Sequence, residues 1–97
     1  SIGYSDIPMR LSLRVLRYTV AVADHGSVSA AAKALHVSQP AVSEAVAACE
    51  AEFGFPLFVR RHARGLSPTV AGGRVLAEAR ALLTHAEAFG AQARAMG

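Results

Sequence analysis

S-V-S-A-A-A-K-A-L-H-V-S-Q-P-A-V-S-E-A-V, Ser27 to Val46, carries the strongest structural signal in the chain. It reads as two short helices joined by a tight turn. The first opens at a serine cap, Ser27 or Ser29, and runs to Leu35; His36 and Val37 make the turn; Ser38 caps the second helix. A serine oxygen satisfies backbone N–H groups that lack partners at a helix start. Pro40 fits the first turn of the second helix, where a missing N–H leaves no bond unmade. His36 falls where the chain needs a left-handed residue, a conformation in which histidine is enriched among non-glycine residues. Ala31, Leu35, Val37, Val42 and Val46 lie where the two helices must touch each other and the core. Two helices spaced like this form a helix-turn-helix, which presents its second helix to the major groove of DNA. The same pattern also suits a plain helical hairpin in a small all-α domain.

On the amino-terminal side, Leu11 to His25 predicts a first helix, with Leu13, Leu16, Val20 and Ala23 at helical spacing and Gly26 as its left-handed end. The second motif helix runs from Gln39 to Phe53, and Gly54 stops it. The character then changes. Pro56 blocks a helix, Leu57-Phe58-Val59 is rich in strand formers, Arg61 to Gly65 is polar and turn-like, and Leu66 begins a return strand. This predicts a two-stranded hairpin, the wing of a winged helix; an irregular basic loop is the alternative. Pro68 makes the end of that wing less regular. Thr69 caps a long last helix that reaches Met96, with Gly72 and Gly73 in its first turn, where their helix cost matters least. Val75, Ala79, Leu82, Ala86, Phe89, Ala93 and Met96 repeat in alternating steps of four and three, a heptad seam. A helix this long cannot hide the whole seam against so small a domain, so its distal half predicts pairing with a second copy; packing of the stripe on its own domain is the alternative.

The fold class expected is therefore mainly α: a three-helix core plus a two-stranded β wing, residues 9–68, followed by a long linker or dimerisation helix, residues 69–97. Residues 1–8 lack helical periodicity and precede Met9, a plausible natural start, and are read as a leftover outside the fold. Ninety-seven residues make one small domain. The net charge of +3 mildly favours polyanions without identifying one. Cys49 is the single cysteine, which excludes an internal disulfide, and it reads as a small buried apolar side chain. Arg17, Asp24, Lys33 and Glu50 interrupt the apolar runs, so no membrane span or signal peptide is expected and the cytoplasm is the default location. His25, His36, His62 and His85 show no metal-ligand spacing, no nucleophile sits with a base, and Gly72-Gly73 is not a phosphate loop. An enzyme, a metal site or a cofactor is not expected in these residues.

The run L-R-V-L-R-Y-T-V-A-V-A-D-H-G-S-V-S-A-A-A-K-A-L-H-V-S-Q-P-A-V-S, Leu13 to Ser43, resembles the amino-terminal domain of LysR-type transcriptional regulators. The resemblance continues through F-G-F-P-L-F-V-R-R, Phe53 to Arg61, and T-V-A-G, Thr69 to Gly72, so it covers nearly the whole chain. Ser38 to Ser43 and Pro56 to Arg60 are strong motifs when found together. The resemblance implies a sequence-specific DNA-binding domain of a bacterial regulator, paired through its linker helix into a homodimer, with a tetramer left open for the intact protein. It implies a palindromic double-stranded DNA operator that mirrors the two-fold symmetry of the dimer, and a larger effector-binding domain that lies outside these residues. It also implies base or phosphate contacts by Gln39, Pro40 and Ser43.

The residues themselves nominate the same surface. Gln39 can pair bidentately with adenine, Pro40 and Ala41 can meet a thymine methyl, and Ser43 bonds to base or phosphate. Arg60, Arg61 and Arg64 cluster on the wing, suited to backbone or minor groove. Lys33, Ser27, Ser29 and the free N–H groups of that first motif-helix start suit phosphate, and Ser38 is counted with the DNA-binding residues. One departure stands out. The family usually carries a basic residue where this chain has Glu44, and Ala34 to Val59 holds no lysine or arginine but does hold Glu44, Glu50 and Glu52. Glu44 either accepts a hydrogen bond from a cytosine amino group or repels phosphate. The acidic second helix also supports a different class of function, a helical protein-interaction module that does not bind DNA.

Overall fold

The computed structural model describes residues 11–97, and of Arg64 the backbone alone. The segment 1–8 and the boundary at Met9 lie outside the described residues. In chain order the elements are α1 (Leu13–His25), α2 (Val28–Leu35), α3 (Gln39–Phe53), β1 (Phe58–Arg60), a single 3-10 turn (His62–Arg64), β2 (Leu66–Pro68) and α4 (Val70–Met96).

Each helix start is set by one side-chain oxygen. Ser12 Oγ accepts from the Val15 N–H at 3.1 Å, so α1 begins at Leu13, two residues later than its apolar spacing alone suggests. Ser27, not Ser29, caps α2, and Ser38 caps α3. Thr69 Oγ1 accepts from the Gly72 N–H at 2.9 Å to start α4. The helix ends are left-handed: Gly26 at φ 83°, His36 at φ 58° and Gly54 at φ 83°. A residue there turns the chain sharply while its N–H closes the last helical turn.

The core lies between α1 and its neighbours. Ala21, Val22, Ala31, Ala32 and Val42 form the seam of α1 with the helix-turn-helix, and Leu35, Val37 and Val46 pack against it from the rim. Leu16, Val20, Cys49, Leu57, Leu76 and Ala79 form a second cluster that fastens α4 to α1 and α3. Phe58 packs against both. Leu13 does not join them: its side chain is half exposed at the mouth of a groove between α1 and α4. Burying a leucine such as Leu57 or Leu76 contributes roughly 1.5–3 kcal/mol.

The wing exists as a short antiparallel pair, Phe58 opposite Pro68, Val59 opposite Ser67 and Arg60 opposite Leu66. Pro68 sits at the last pair of a two-stranded sheet, where a missing N–H is tolerated. α4 has 27 residues, about 40 Å at 1.5 Å per residue. That length accounts for most of the 49 Å long axis of the molecule. Among the described residues no helix is long and apolar enough to cross a membrane.

Candidate nucleic-acid interface

The helix-turn-helix fixes the position of α3 through backbone bonds. Val37 N–H donates to Ala32 O at 3.0 Å across the turn, and His36 N–H to Lys33 O at 3.3 Å. The buried side of α3 is Val42, Ala45 and Cys49. Its outward stripe follows from helical periodicity: Pro40, Ser43, Glu44 and Ala47 share one exposed face. Ala47 belongs to this stripe although the sequence reading passed over it. Ala41, expected to offer apolar contact, is instead half-buried and turned toward α1. Gln39 lies to the other side, where its Nε2 donates to Ser29 Oγ at 3.5 Å. That contact brings the starts of α2 and α3 to one surface.

Two of the serines have structural duties. Ser27 Oγ accepts from Ala30 N–H at 3.0 Å, and Ser38 Oγ from Ala41 N–H at 3.2 Å. Each keeps its hydroxyl hydrogen as a donor. Ser29 and Lys33 are exposed on α2. The Ser27 cap leaves the first N–H groups of α2 without a helical acceptor, an arrangement that attracts anions.

The wing is held beside this helix start. Leu66 N–H donates to Gly26 O at 2.9 Å, and Arg61 N–H to Gly65 O at 2.6 Å closes the tip. Gly65 has φ 75°, and a Cβ there would collide with the carbonyl oxygen of Gly26. Arg60 and Arg61 are exposed on the docked wing. The Arg64 side chain, nominated with them from the sequence, lies outside the described residues.

The acids of α3 separate into different roles. Glu50 Oε2 accepts from Leu57 N–H at 2.7 Å, tying the end of α3 to the entry of the wing. It is a structural acceptor rather than a repulsive charge on the interface. Glu44 stays on the outward stripe. Beside it runs a groove of about 290 Å³ lined by Arg14, Val15, Tyr18, Ala41, Glu44 and Ala45. Arg14 was not nominated from the sequence, because nothing local to α1 marks which of its arginines faces α3.

The seam of α4 divides. Ala79 is buried and Val75 half-buried within their own domain, together with Leu76 and Leu83 from the adjacent stripe. Expected as partner-facing, Ala79 is covered by α1 and the end of α3, because the proximal half of α4 closes the small core. Ala86 is half-buried, lining the α1–α4 groove. Leu82, Phe89 and Met96 are 48%, 64% and 81% exposed, and Ala93 is exposed with them.

A helix-turn-helix with its second helix bare along one stripe, a pinned basic wing and a long trailing helix defines a winged helix-turn-helix domain. Residues 13–73 match the family model described as "Bacterial regulatory helix-turn-helix protein, lysR family". The chain belongs to that family and comprises its helix-turn-helix DNA-binding domain. The HTH-type transcriptional regulator ClcR of Pseudomonas putida is 42% identical over 85 residues, which are 88% of this chain and 29% of ClcR. TcbR of Pseudomonas sp. strain P51 is 44% identical over the same shares. The chain thus spans under a third of these relatives. Crystallised CbnR, a LysR family transcriptional regulator, matches with TM-score 0.82 and 44% identity over 88% of this chain and 29% of its own. The CbnR DBD in complex with DNA matches with TM-score 0.81 and 43% identity, over 89% of this chain and 98% of that one.

Proposed function

We propose that this domain seats the amino-terminal half of α3 in the major groove of a duplex, with the wing on the adjoining backbone or minor groove. Pro40, Ser43, Glu44 and Gln39 face the bases, while Ser27, Ser29, Lys33, Arg60, Arg61 and Arg64 serve phosphates. Two copies pair through the distal half of α4 and read a two-fold symmetric site. Regulation of transcription in the cytoplasm is the setting, and no cofactor is required of these residues: charge and groove fit supply the affinity.

The observation that carries this reading is the joint exposure of three features on one surface. Gln39 meets Ser29 across the two helix starts, the α3 stripe is uncovered, and the wing is pinned at Gly26 beside Ser27. A protein-interaction module has no need of that conjunction.

Titration with duplex DNA across salt concentrations tests it. Phosphate contacts make affinity fall steeply with salt, by a log–log slope of about 0.9 per phosphate. Replacing Arg60 and Arg61 together by glutamine is expected to lower that slope by about two. A wild-type chain that binds no duplex at low salt would defeat the reading.

A further inference from the structure

α3 reaches the surface with an acid and no base. Ala34 to Val59 holds no lysine or arginine, and Glu44 lies on the outward stripe between Pro40 and Ala47. An uncompensated carboxylate there would repel the phosphates on both sides of a major groove. The compensating charge stands across the helix boundary. Arg14 and Tyr18 of α1 line the same groove as Glu44, Ala41 and Ala45 of α3. Arg14 is one turn before Tyr18, and Ala41 is one turn before Ala45, so two helix faces meet with Arg14 and Glu44 at their shared rim. Both side chains are exposed. Among the described residues the ion pair formed is Arg80 with Asp24, which leaves Arg14 and Glu44 uncommitted.

We propose that Arg14 is a DNA-contacting residue of this domain, and that Glu44 orients its guanidinium toward the duplex. The inference rests on the DNA reading above and adds to it a residue from α1. A guanidinium has five N–H donors in a planar fork. One edge can hold the Glu44 carboxylate while the other meets a phosphate oxygen or the acceptor edge of guanine. The pair then presents a neutral rim, with guanidinium donors outward, where α3 alone presents a negative one. Arg14 also borders the α1–α4 groove that contains Glu87. Capture by Glu87 would turn it away from the duplex and is the competing outcome.

The test is a double-mutant cycle on the 97-residue chain. Arg14→Gln, Glu44→Gln and the pair together are titrated, at several salt concentrations, with a mixed-sequence duplex and with the duplex that wild type selects from a random pool. Both positions are exposed, so unchanged helix content and melting should accompany every variant. Arg14→Gln is expected to weaken binding about tenfold and to lower the salt slope by about one. Glu44→Gln is expected to weaken binding in the wild-type background, where it releases Arg14. In the Arg14→Gln background the same change is expected to strengthen binding, because it removes a bare acid. That reversal of sign is the signature of the pair. Wild-type affinity and slope in Arg14→Gln would overturn the inference, as would a Glu44→Gln effect equal in both backgrounds. The Arg60 and Arg61 variants separate the two readings: if they lower the slope while Arg14→Gln does not, the interface stands and this inference falls. If wild type itself does not bind, both fall.

Discussion

Gly72 and Gly73 are neighbours in the first turn of α4 and look equivalent in the sequence. A Cβ at Gly72 would collide with the backbone of Leu57, whereas one at Gly73 meets nothing within 4 Å. Gly72 is therefore the point where α4 crosses the chain entering the wing. Gly72→Ala should destabilise the domain by roughly 1–3 kcal/mol, the range for forced overpacking. Gly73→Ala should stabilise it by up to about 0.5 kcal/mol, since the helix-propensity gain is reduced in a first turn. Denaturant midpoints of the two variants check this, and equal shifts would refute it. Cys49 behaves as its apolar neighbours imply. Burial pushes its thiol above the ordinary range; the Thr19 hydroxyl at 3.4 Å opposes this, and the Glu50 charge adds to it. The folded state thus holds the proton more tightly than the unfolded chain. Its contribution to stability is complete below the ordinary cysteine pKa and declines as pH rises toward the raised one. A thiol reagent should label Cys49 only upon unfolding, and prompt labelling of native protein at neutral pH would contradict the packing. At this scale the sequence disclosed less than the structure. The roles of Gly72, Glu50 and Arg14 depend on what lies opposite them, and their partners are fifteen, seven and thirty residues away.

The elements were far more legible, because their limits are written in local chemistry. The caps at Ser27, Ser38 and Thr69 and the left-handed stops at Gly26, His36 and Gly54 act within a few residues of themselves. The start of α1 is the exception, since Leu11 continues the apolar spacing while Ser12, beside it, caps the helix so that it begins at Leu13. The wing hairpin could be read from Leu57-Phe58-Val59 and the polar turn, but its attachment could not. That attachment is the Leu66 N–H to Gly26 O bond, which forms only when Gly65 adopts φ 75° against the end of α1. Gly65→Ala should break it twice over, through backbone strain of about 1–3 kcal/mol and through the collision with Gly26 O. The buried cluster beside it comes from α1, α2 and α3, with Leu66 and Phe58 of the wing packed on its rim. Circular dichroism should therefore keep its helical signal while duplex affinity falls as the wing swings away. Undiminished affinity would mean that the wing does not need its anchor to reach DNA.

The whole molecule has one part that its own core does not reach. α4 lies on α1 through Leu76, Ala79 and Leu83, and the groove between them ends at Ala86 and Glu87. Beyond Glu87 about nine residues, or ~14 Å of helix, continue to Met96. A helix segment that short is marginal in water unless its apolar side is covered. Half-exposed Leu82, just before that segment, and the more exposed Phe89 and Met96 within it recur every seven residues, so the uncovered side is a heptad stripe rather than scattered surface residues. The heptad count found this stripe in the sequence but could not locate where Ala79 leaves it for the core, since the spacing is the same on both sides of that point. A second copy placed antiparallel or parallel along the stripe covers it twice, once from each chain. Burying Phe89 contributes roughly 1.5–3 kcal/mol per copy, so Phe89→Glu should weaken the pair by about 3–6 kcal/mol, on the order of a hundredfold or more in dissociation constant. Sedimentation should show wild-type dimer passing to monomer in the variant. Duplex binding should then lose its preference for two-fold symmetric sites while single-site contacts persist. A wild-type chain that sediments as monomer at high micromolar concentration would overturn the pairing.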